Sequence, residues 1–122
     1  MIKLIRAPAL AALSTAALCG SAFAHAELVA AEPPANATVN TAPAEIDLKF
    51  SEELQTKFTG VKVLGPDKKE VKTEGAMLMD GDKTFMVSLP ASLAPGIYRV
   101  EWHALSRDGH KTNGNYQFTI AP

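Results

Sequence analysis

Charged and apolar residues alternate without interruption over residues 45–50, where the sequence reads EIDLKF. A period of two is typical of a β-strand that buries one of its faces. We therefore predict a strand whose side chains at Ile46, Leu48 and Phe50 lie in the core.

The same alternation marks two segments near the C-terminal end of the sequence. Residues 97–105 form the longest strand candidate, and its aromatic face is predicted to point inward. Residues 115–120 form the last strand candidate. The positions predicted to be buried in these two strands are Tyr98, Val100, Trp102, Ala104, Tyr116, Phe118 and Ile120.

Two further pairs of apolar segments are separated by turn residues, and we predict a β-hairpin for each pair. The first joins the segment around Val63 to Val71 through Gly65-Pro66-Asp67. The second joins residues 76–80 to residues 84–89. Glycine, proline and aspartate are the residues that tight turns between strands favour.

The remaining segments complete an all-β pattern. Residues 25–32 favour a short first strand, which Pro33-Pro34 ends because proline cannot donate to a strand ladder. Residues 33–43 are expected to be a connection on the surface. About seven short strands without a convincing amphipathic helix predict an all-β antiparallel sandwich or barrel with Greek-key connections.

The first 24 residues have the pattern of an export signal. Lys3 and Arg6 precede an apolar run over residues 7–19, and Ala22-Phe23-Ala24 is the small-x-small motif at which a signal peptidase cuts. The run is too short for a comfortable membrane span of about 20 residues. We therefore assign residues 1–24 to a signal peptide and residues 25–122 to one periplasmic domain that is not stably inserted in a membrane.

Composition excludes several kinds of site from this domain. The only cysteine, Cys19, lies in the signal peptide, so the domain has no disulfide, no thiolate metal centre and no catalytic cysteine. Removing Lys3 and Arg6 leaves 10 basic against 13 acidic residues, a net charge of −3. No basic patch indicates nucleic acid as a partner.

Two features carry metal-binding chemistry. If the segment Asp108-Gly109-His110 is extended, its carboxylate and imidazole project to the same face and can converge on one ion. By itself this triplet favours an exposed turn without a function, because Asp-Gly is a common tight-turn dipeptide. Signal cleavage would also leave His25 as the first residue, whose amine and imidazole are two nitrogen donors. Such a nitrogen-rich set suits Cu(II), whereas calcium and magnesium prefer oxygen ligands.

The sequence over most of residues 25–122 resembles the CopC family of periplasmic copper-resistance proteins. The stretches that carry the resemblance are HAEL at 25–28 with Pro33-Pro34, PAEIDLKFSE at 43–52, FTGV at 58–61, LAPGIYRVEW at 93–102, and SRDGH at 106–110 with Gly114 and Phe118. The resemblance implies a cupredoxin-like β-barrel and one Cu(II) per chain. It also implies the ligands, which are the amine and imidazole of His25, Asp108 and His110.

Some members of that family also hold Cu(I) in a methionine-rich loop that contains a histidine. The corresponding region here offers Met77 and Met79, with Met86 further along and no histidine nearby. Ordinary packing is the interpretation we favour for these side chains. The alternative is a weak thioether site at Met77 and Met79.

Two other residues near these motifs are not assigned to the site. His103 is expected to be structural or on the surface, because strand alternation puts it on the face opposite Trp102. Glu27 is expected to be a solvated carboxylate at a strand end, although it could accept a hydrogen bond from a metal ligand.

The function that the resemblance implies is a periplasmic Cu(II) carrier or buffer that sequesters copper or delivers it to a CopD-like membrane transporter, and that is not an enzyme. The main alternative is a small copper monooxygenase, because a terminal histidine with a second histidine also forms the copper brace of lytic polysaccharide monooxygenases. A domain of 98 residues leaves little room for a substrate platform. A third hypothesis is an immunoglobulin-like adhesion module without a metal.

Overall fold

Nine β-strands and one turn of 3-10 helix form the regular structure in residues 26 to 122, the part of the chain that the computed structural model describes. The expected signal peptide and His25 lie outside the described residues. The strands are Leu28–Glu32 (β1), Thr38–Val39 (β2), Glu45–Phe50 (β3), Gly60–Leu64 (β4), Glu70–Val71 (β5), Glu74–Met79 (β6), Thr84–Ser88 (β7), Gly96–Leu105 (β8) and Lys111–Ile120 (β9). The 3-10 turn is Thr56–Phe58.

The strands form two sheets, with the order β1-β3-β7-β6 in one and β2-β9-β8-β4-β5 in the other. All pairings are antiparallel except that of β2 with β9, which is parallel. Because these are two open sheets, the all-β prediction is confirmed as a β-sandwich, and no closed barrel forms in the described residues. No helix within residues 26 to 122 is long and apolar enough to cross a membrane.

The core lies between the sheets and contains nearly all of the side chains that the alternation predicts. Those that are buried are Ile46, Leu48, Phe50, Tyr98, Val100, Ala104, Tyr116, Phe118 and Ile120. Trp102 is only partly buried, with its ring edge-on to that of Phe50 at 5.1 Å between centroids. The opposing residue must be glycine, because a Cβ on Gly114 would lie 2.7 Å from Cζ2 of Trp102.

Both predicted hairpins are present. β4 pairs with β5, and Val63 lies opposite Val71. β6 pairs with β7 in the second hairpin. Apolar alternation flanked by turn residues was therefore sufficient to locate these local pairings.

The structure differs from the prediction at two places where main-chain bonds rather than side-chain patterns form a strand. β2 lies in the region expected to be only a surface connection, and Thr119 N–H donates to the carbonyl of Ala37 at 2.9 Å. β9 begins at Lys111 and not at Asn115, because the ladder with β8 extends to the pair Leu105 and Lys111. Of these two differences only β2 adds a strand, and the described residues contain nine strands where about seven are predicted.

Candidate metal site

The candidate ligands Asp108 and His110 lie on the hairpin loop that joins β8 to β9. The loop closes through a bond from Ser106 N–H to the carbonyl of His110 at 3.0 Å and one from Gly109 N–H to the carbonyl of Ser106 at 2.9 Å. Gly109 has φ of +94°, a conformation that glycine adopts without a steric penalty. The expectation of an extended segment is therefore wrong, since this is a tight turn.

The turn nevertheless brings the two side chains together. Nδ1 of His110 lies 3.1 Å from Oδ1 of Asp108, and the side chains are 47% and 42% exposed. The convergence arises from the turn and not from the strand periodicity on which the prediction was based. One imidazole and one carboxylate are thus adjacent and accessible to an ion from solvent.

Ser106 connects both of these residues from beneath. Ser106 is 1% exposed. Its hydroxyl donates a hydrogen bond to Oδ1 of Asp108 and accepts one from the main-chain N–H of His110 at 3.2 Å. The hydroxyl of Ser106 and, after it, the imidazole of His110 lower the pKa of Asp108 below its ordinary value, although partial desolvation acts in the opposite direction. The carboxylate is therefore anionic at neutral pH, the form that binds cations.

The loop is fixed to the segment that connects β3 to β4 and to the turn between β6 and β7. The guanidinium of Arg107 lies 3.0 Å from the carboxylate of Asp82 and 3.4 Å from that of Glu53. The main-chain N–H of Arg107 also donates to the carbonyl of Glu53 at 2.8 Å. The side-chain amide of Gln55 donates to the carbonyl of Ser106 at 3.0 Å. The backbone of the site is therefore held from several directions.

The first described residues lie against the strand that follows His110. Ala26 is fully buried, and its carbonyl accepts a hydrogen bond from Oγ1 of Thr112 at 2.8 Å. Glu27 exchanges two bonds with Ser51, from its N–H to Oγ at 3.0 Å and from Ser51 N–H to its carbonyl at 2.9 Å. The chain thus enters the described region beside Thr112, two residues after His110.

The described residues supply two of the three expected ligand residues. His25 is outside them, and within residues 26 to 122 no three His, Cys, Asp or Glu residues are grouped closely enough to hold a metal ion. The donors that are present, a nitrogen and an anionic oxygen, fit Cu(II) better than a metal that requires thiolates.

His103 is not brought to this loop. It lies exposed on β8, opposite Asn113, and its ring covers Gly60 so closely that a Cβ on that glycine would lie 2.6 Å from Cε1. The glycine therefore makes room for the ring, as expected for a structural surface histidine. Glu27 is exposed, also as expected.

The methionines lie on the other sheet. Met77 on β6 is directly opposite Met86 on β7, and Met79 is opposite Thr84. Met77 is 46% exposed, so it does not fill a gap in the core. A surface position is as ordinary as a core position for a methionine at strand spacing, so the interpretation that Met77 is not a ligand stays a prediction.

Sequence reasoning missed three residues that organise the loop, Ser106, Arg107 and Thr112. A short polar side chain that bonds to a residue two positions later is a known turn pattern, so Ser106 had a local signal. Thr112 had none, because its partner Ala26 is 86 residues away.

A family model and individual relatives agree on the family to which this sequence is similar. The family model described as the CopC domain matches residues 28–121. Protein YobA of Escherichia coli (strain K12) is 46% identical over 113 residues, which cover 92% of this chain and 91% of that protein. Copper resistance protein C of Escherichia coli is 39% identical over 107 residues, covering 82% of this chain and 84% of the relative.

A longer relative and a solved structure extend the comparison. Copper transport protein CutJ of Bacillus subtilis (strain 168) is 33% identical over 101 residues, which cover 82% of this chain but 19% of that protein. The crystal structure of CopC from Methylosinus trichosporium OB3b superposes with a TM-score of 0.72 at 31% identity, covering 80% of this chain and 95% of the other.

Proposed function

The chain belongs to the CopC family, and we propose that it is a periplasmic protein that binds one Cu(II) ion through His25, Asp108 and His110. Family relatives named for copper resistance and copper transport support a copper-related function. The observation that carries the proposed site is the 3.1 Å approach of the His110 imidazole to the Asp108 carboxylate on an accessible loop.

The chemistry of the donors supports Cu(II) as the cargo. The imidazole of His110 supplies nitrogen, the carboxylate of Asp108 supplies oxygen, and a terminal His25 would add an amine and a second imidazole. Three nitrogens and one oxygen suit the tetragonal geometry of Cu(II), which also heads the affinity series of divalent first-row ions. Because Cu(I) prefers thioether and thiolate sulfur, this set should bind it much more weakly.

The position of Ala26 supports His25 as the third ligand residue. The bond from Thr112 to the Ala26 carbonyl holds the start of the described chain beside β9, two residues after His110. Consecutive Cα atoms are about 3.8 Å apart across a trans peptide. The anchoring of Ala26 to a residue near the loop is the observation that supports His25 as a ligand.

The role that fits these features is to carry or buffer copper, and we propose a CopD-like membrane copper transporter as the recipient. The relative CutJ, a copper transport protein, contains a matching segment within a much longer chain. That arrangement is the support for coupling this domain to transport. A catalytic role is not proposed, because a carboxylate beside the copper would occupy a coordination position that oxygen activation needs open.

The test is a Cu(II) titration of the exported protein against a competing chelator, with electron paramagnetic resonance of the loaded form. We expect one equivalent of Cu(II) with a type 2 spectrum and nitrogen hyperfine structure. His110→Ala should lose this binding, whereas the matched control His103→Ala should retain it. Equal Cu(II) affinities for His110→Ala and His103→Ala would refute the proposed site.

A further inference from the structure

We propose that Ser106 is a positioning residue for copper, one that sets the orientation of Asp108 and His110 without touching the ion. The inference rests on the proposed function, since it assigns a partner to the same two ligands. It concerns a residue that precedes both ligands in the loop and is the only serine between β8 and β9.

The geometry places one hydroxyl between the two halves of the site. Oγ of Ser106 donates to the carboxylate of Asp108 and accepts the main-chain N–H of His110 at 3.2 Å. The carboxylate and imidazole are in turn 3.1 Å apart. Loss of the hydroxyl would therefore release the Asp108 side chain and a main-chain anchor of His110 together.

Burial makes this hydroxyl a rigid reference point. Ser106 is 1% exposed, whereas the side chains of Asp108 and His110 are nearly half exposed. Its main-chain groups bond to His110, Gly109 and Gln55, and it forms a β-bridge with Leu54. An exposed carboxylate on a turn has several accessible rotamers, and a fixed donor selects one of them before the ion arrives.

Arg107 acts on a different part of the loop. Its side chain is 60% exposed and forms ion pairs with Glu53 and Asp82, which connect the loop to two neighbouring segments. Ser106 contacts the ligand carboxylate itself. The effect on copper coordination is therefore assigned to Ser106.

The experiment measures Cu(II) affinity at fixed pH for wild type, Ser106→Ala, Asp108→Ala and the double variant. Partners that orient metal ligands typically contribute about 10- to 100-fold to affinity, and we expect a loss of that size in Ser106→Ala. The loss should be at least several-fold smaller when Asp108 is already alanine, because the main target of the hydroxyl is then absent. Ser88→Ala, an exposed serine at the end of β7, is the control and should bind as wild type.

Two further readouts separate positioning from a general effect on folding. The copper hyperfine splitting should change in Ser106→Ala and not in Ser88→Ala. The isosteric pair Ser106→Thr and Ser106→Val should differ, with threonine retaining most of the affinity, because the two side chains have similar volumes and only one has a hydroxyl. This pair keeps the test valid if Ser106→Ala does not fold.

The outcomes distinguish the two proposals. Wild-type affinity in Ser106→Ala, together with a loss in His110→Ala, would overturn the role of Ser106 alone. An equal loss from Ser106→Ala in the wild-type and Asp108→Ala backgrounds would also overturn it, since the residue would then be merely structural. Unchanged affinity in His110→Ala would overturn the proposed function and this role with it.

Discussion

Replacing Thr112 with valine tests whether the anchoring of Ala26 helps the preceding residue, His25, to bind copper as proposed. The substitution keeps the shape of the side chain and removes only the bond from Oγ1 to the Ala26 carbonyl, which is 2.8 Å long and partly buried. A hydrogen bond of this kind contributes about 0.5–1.5 kcal/mol net. In a domain of this size about 1 kcal/mol corresponds to a Tm change of about 4–8 °C.

The same free energy should appear in copper binding. In the wild type Ala26 is already held beside Thr112, so copper binding does not have to order it. In Thr112→Val that ordering would have to occur on binding, and a cost of about 0.5–1.5 kcal/mol corresponds to a loss of about 2- to 12-fold in Cu(II) affinity.

The assay is a Cu(II) competition titration with wild type and Thr112→Val, accompanied by thermal melts of the metal-free proteins. Thr119→Val, on the same strand but at its opposite end, is the control. The comparison should be repeated with one residue added ahead of His25, where the amine is no longer available as a donor. There the effect of Thr112→Val on affinity should shrink.

A lowered Tm with wild-type Cu(II) affinity in Thr112→Val would refute the reasoning. The anchor would then stabilise the sandwich without serving the site. An undiminished effect in the extended protein would show instead that the anchor acts on His110 or Asp108 and not on His25.

Three other changes test separate parts of the account. In Cu(II) titrations, His110→Ala should cost more affinity than Asp108→Ala, and both should retain a cooperative metal-free melt because the ligands lie on a loop. Adding one residue ahead of His25 should cut Cu(II) affinity steeply, and the affinity of the extended protein should decline less as the pH falls toward 5. The reason is that the amine, with a reference pKa of about 7.7–8.0, no longer has to lose a proton on binding. Equal affinities of the two proteins across this pH range would exclude the amine as a ligand. Partial burial and the neighbouring Glu45 raise the pKa of Asp47 to about 6, so the folded state binds this proton more tightly than the unfolded state and loses stability as the pH rises from about 4 to 7. Asp47→Asn should therefore be more stable than wild type in urea at pH 7.5, by about 1 kcal/mol once solvent screening is allowed for, and no more stable at pH 4.

The parts of the fold that could be predicted are those in which side chains alone determine the outcome. Alternation identified Phe50, Tyr98 and Phe118 as core residues because a strand at a sandwich interface must bury one face. It could not identify β2, whose two residues pair with β9 through main-chain groups that every sequence has. It also placed Trp102 fully in the core, whereas this residue is only partly buried and its ring packs edge-on to that of Phe50.

The candidate site divides in the same way. Proximity of Asp108 and His110 could be expected from their spacing, but the turn that produces it depends on Gly109 and on bonds to Ser106. The anchor of Ala26 joins residues far apart in sequence, and only the assembled sandwich brings them together. The assignment of His25, Asp108 and His110 as copper ligands stays a prediction.

The contacts of Arg107 with Glu53 and Asp82 connect the loop over residues 106–110 to segments that border the other sheet of the sandwich. A loop that bonded only to its own hairpin could swing outward and release an ion independently of the rest of the domain. Here an outward movement of the loop would also have to break its contacts with Glu53, in the segment after β3, and with Asp82, in the turn between β6 and β7. If copper binds to this loop as proposed, we expect its residence time to depend on how often the contacts of Arg107 with Glu53 and Asp82 break. A recipient that binds Asp82 or Glu53 would then shorten the residence time without contacting a copper ligand.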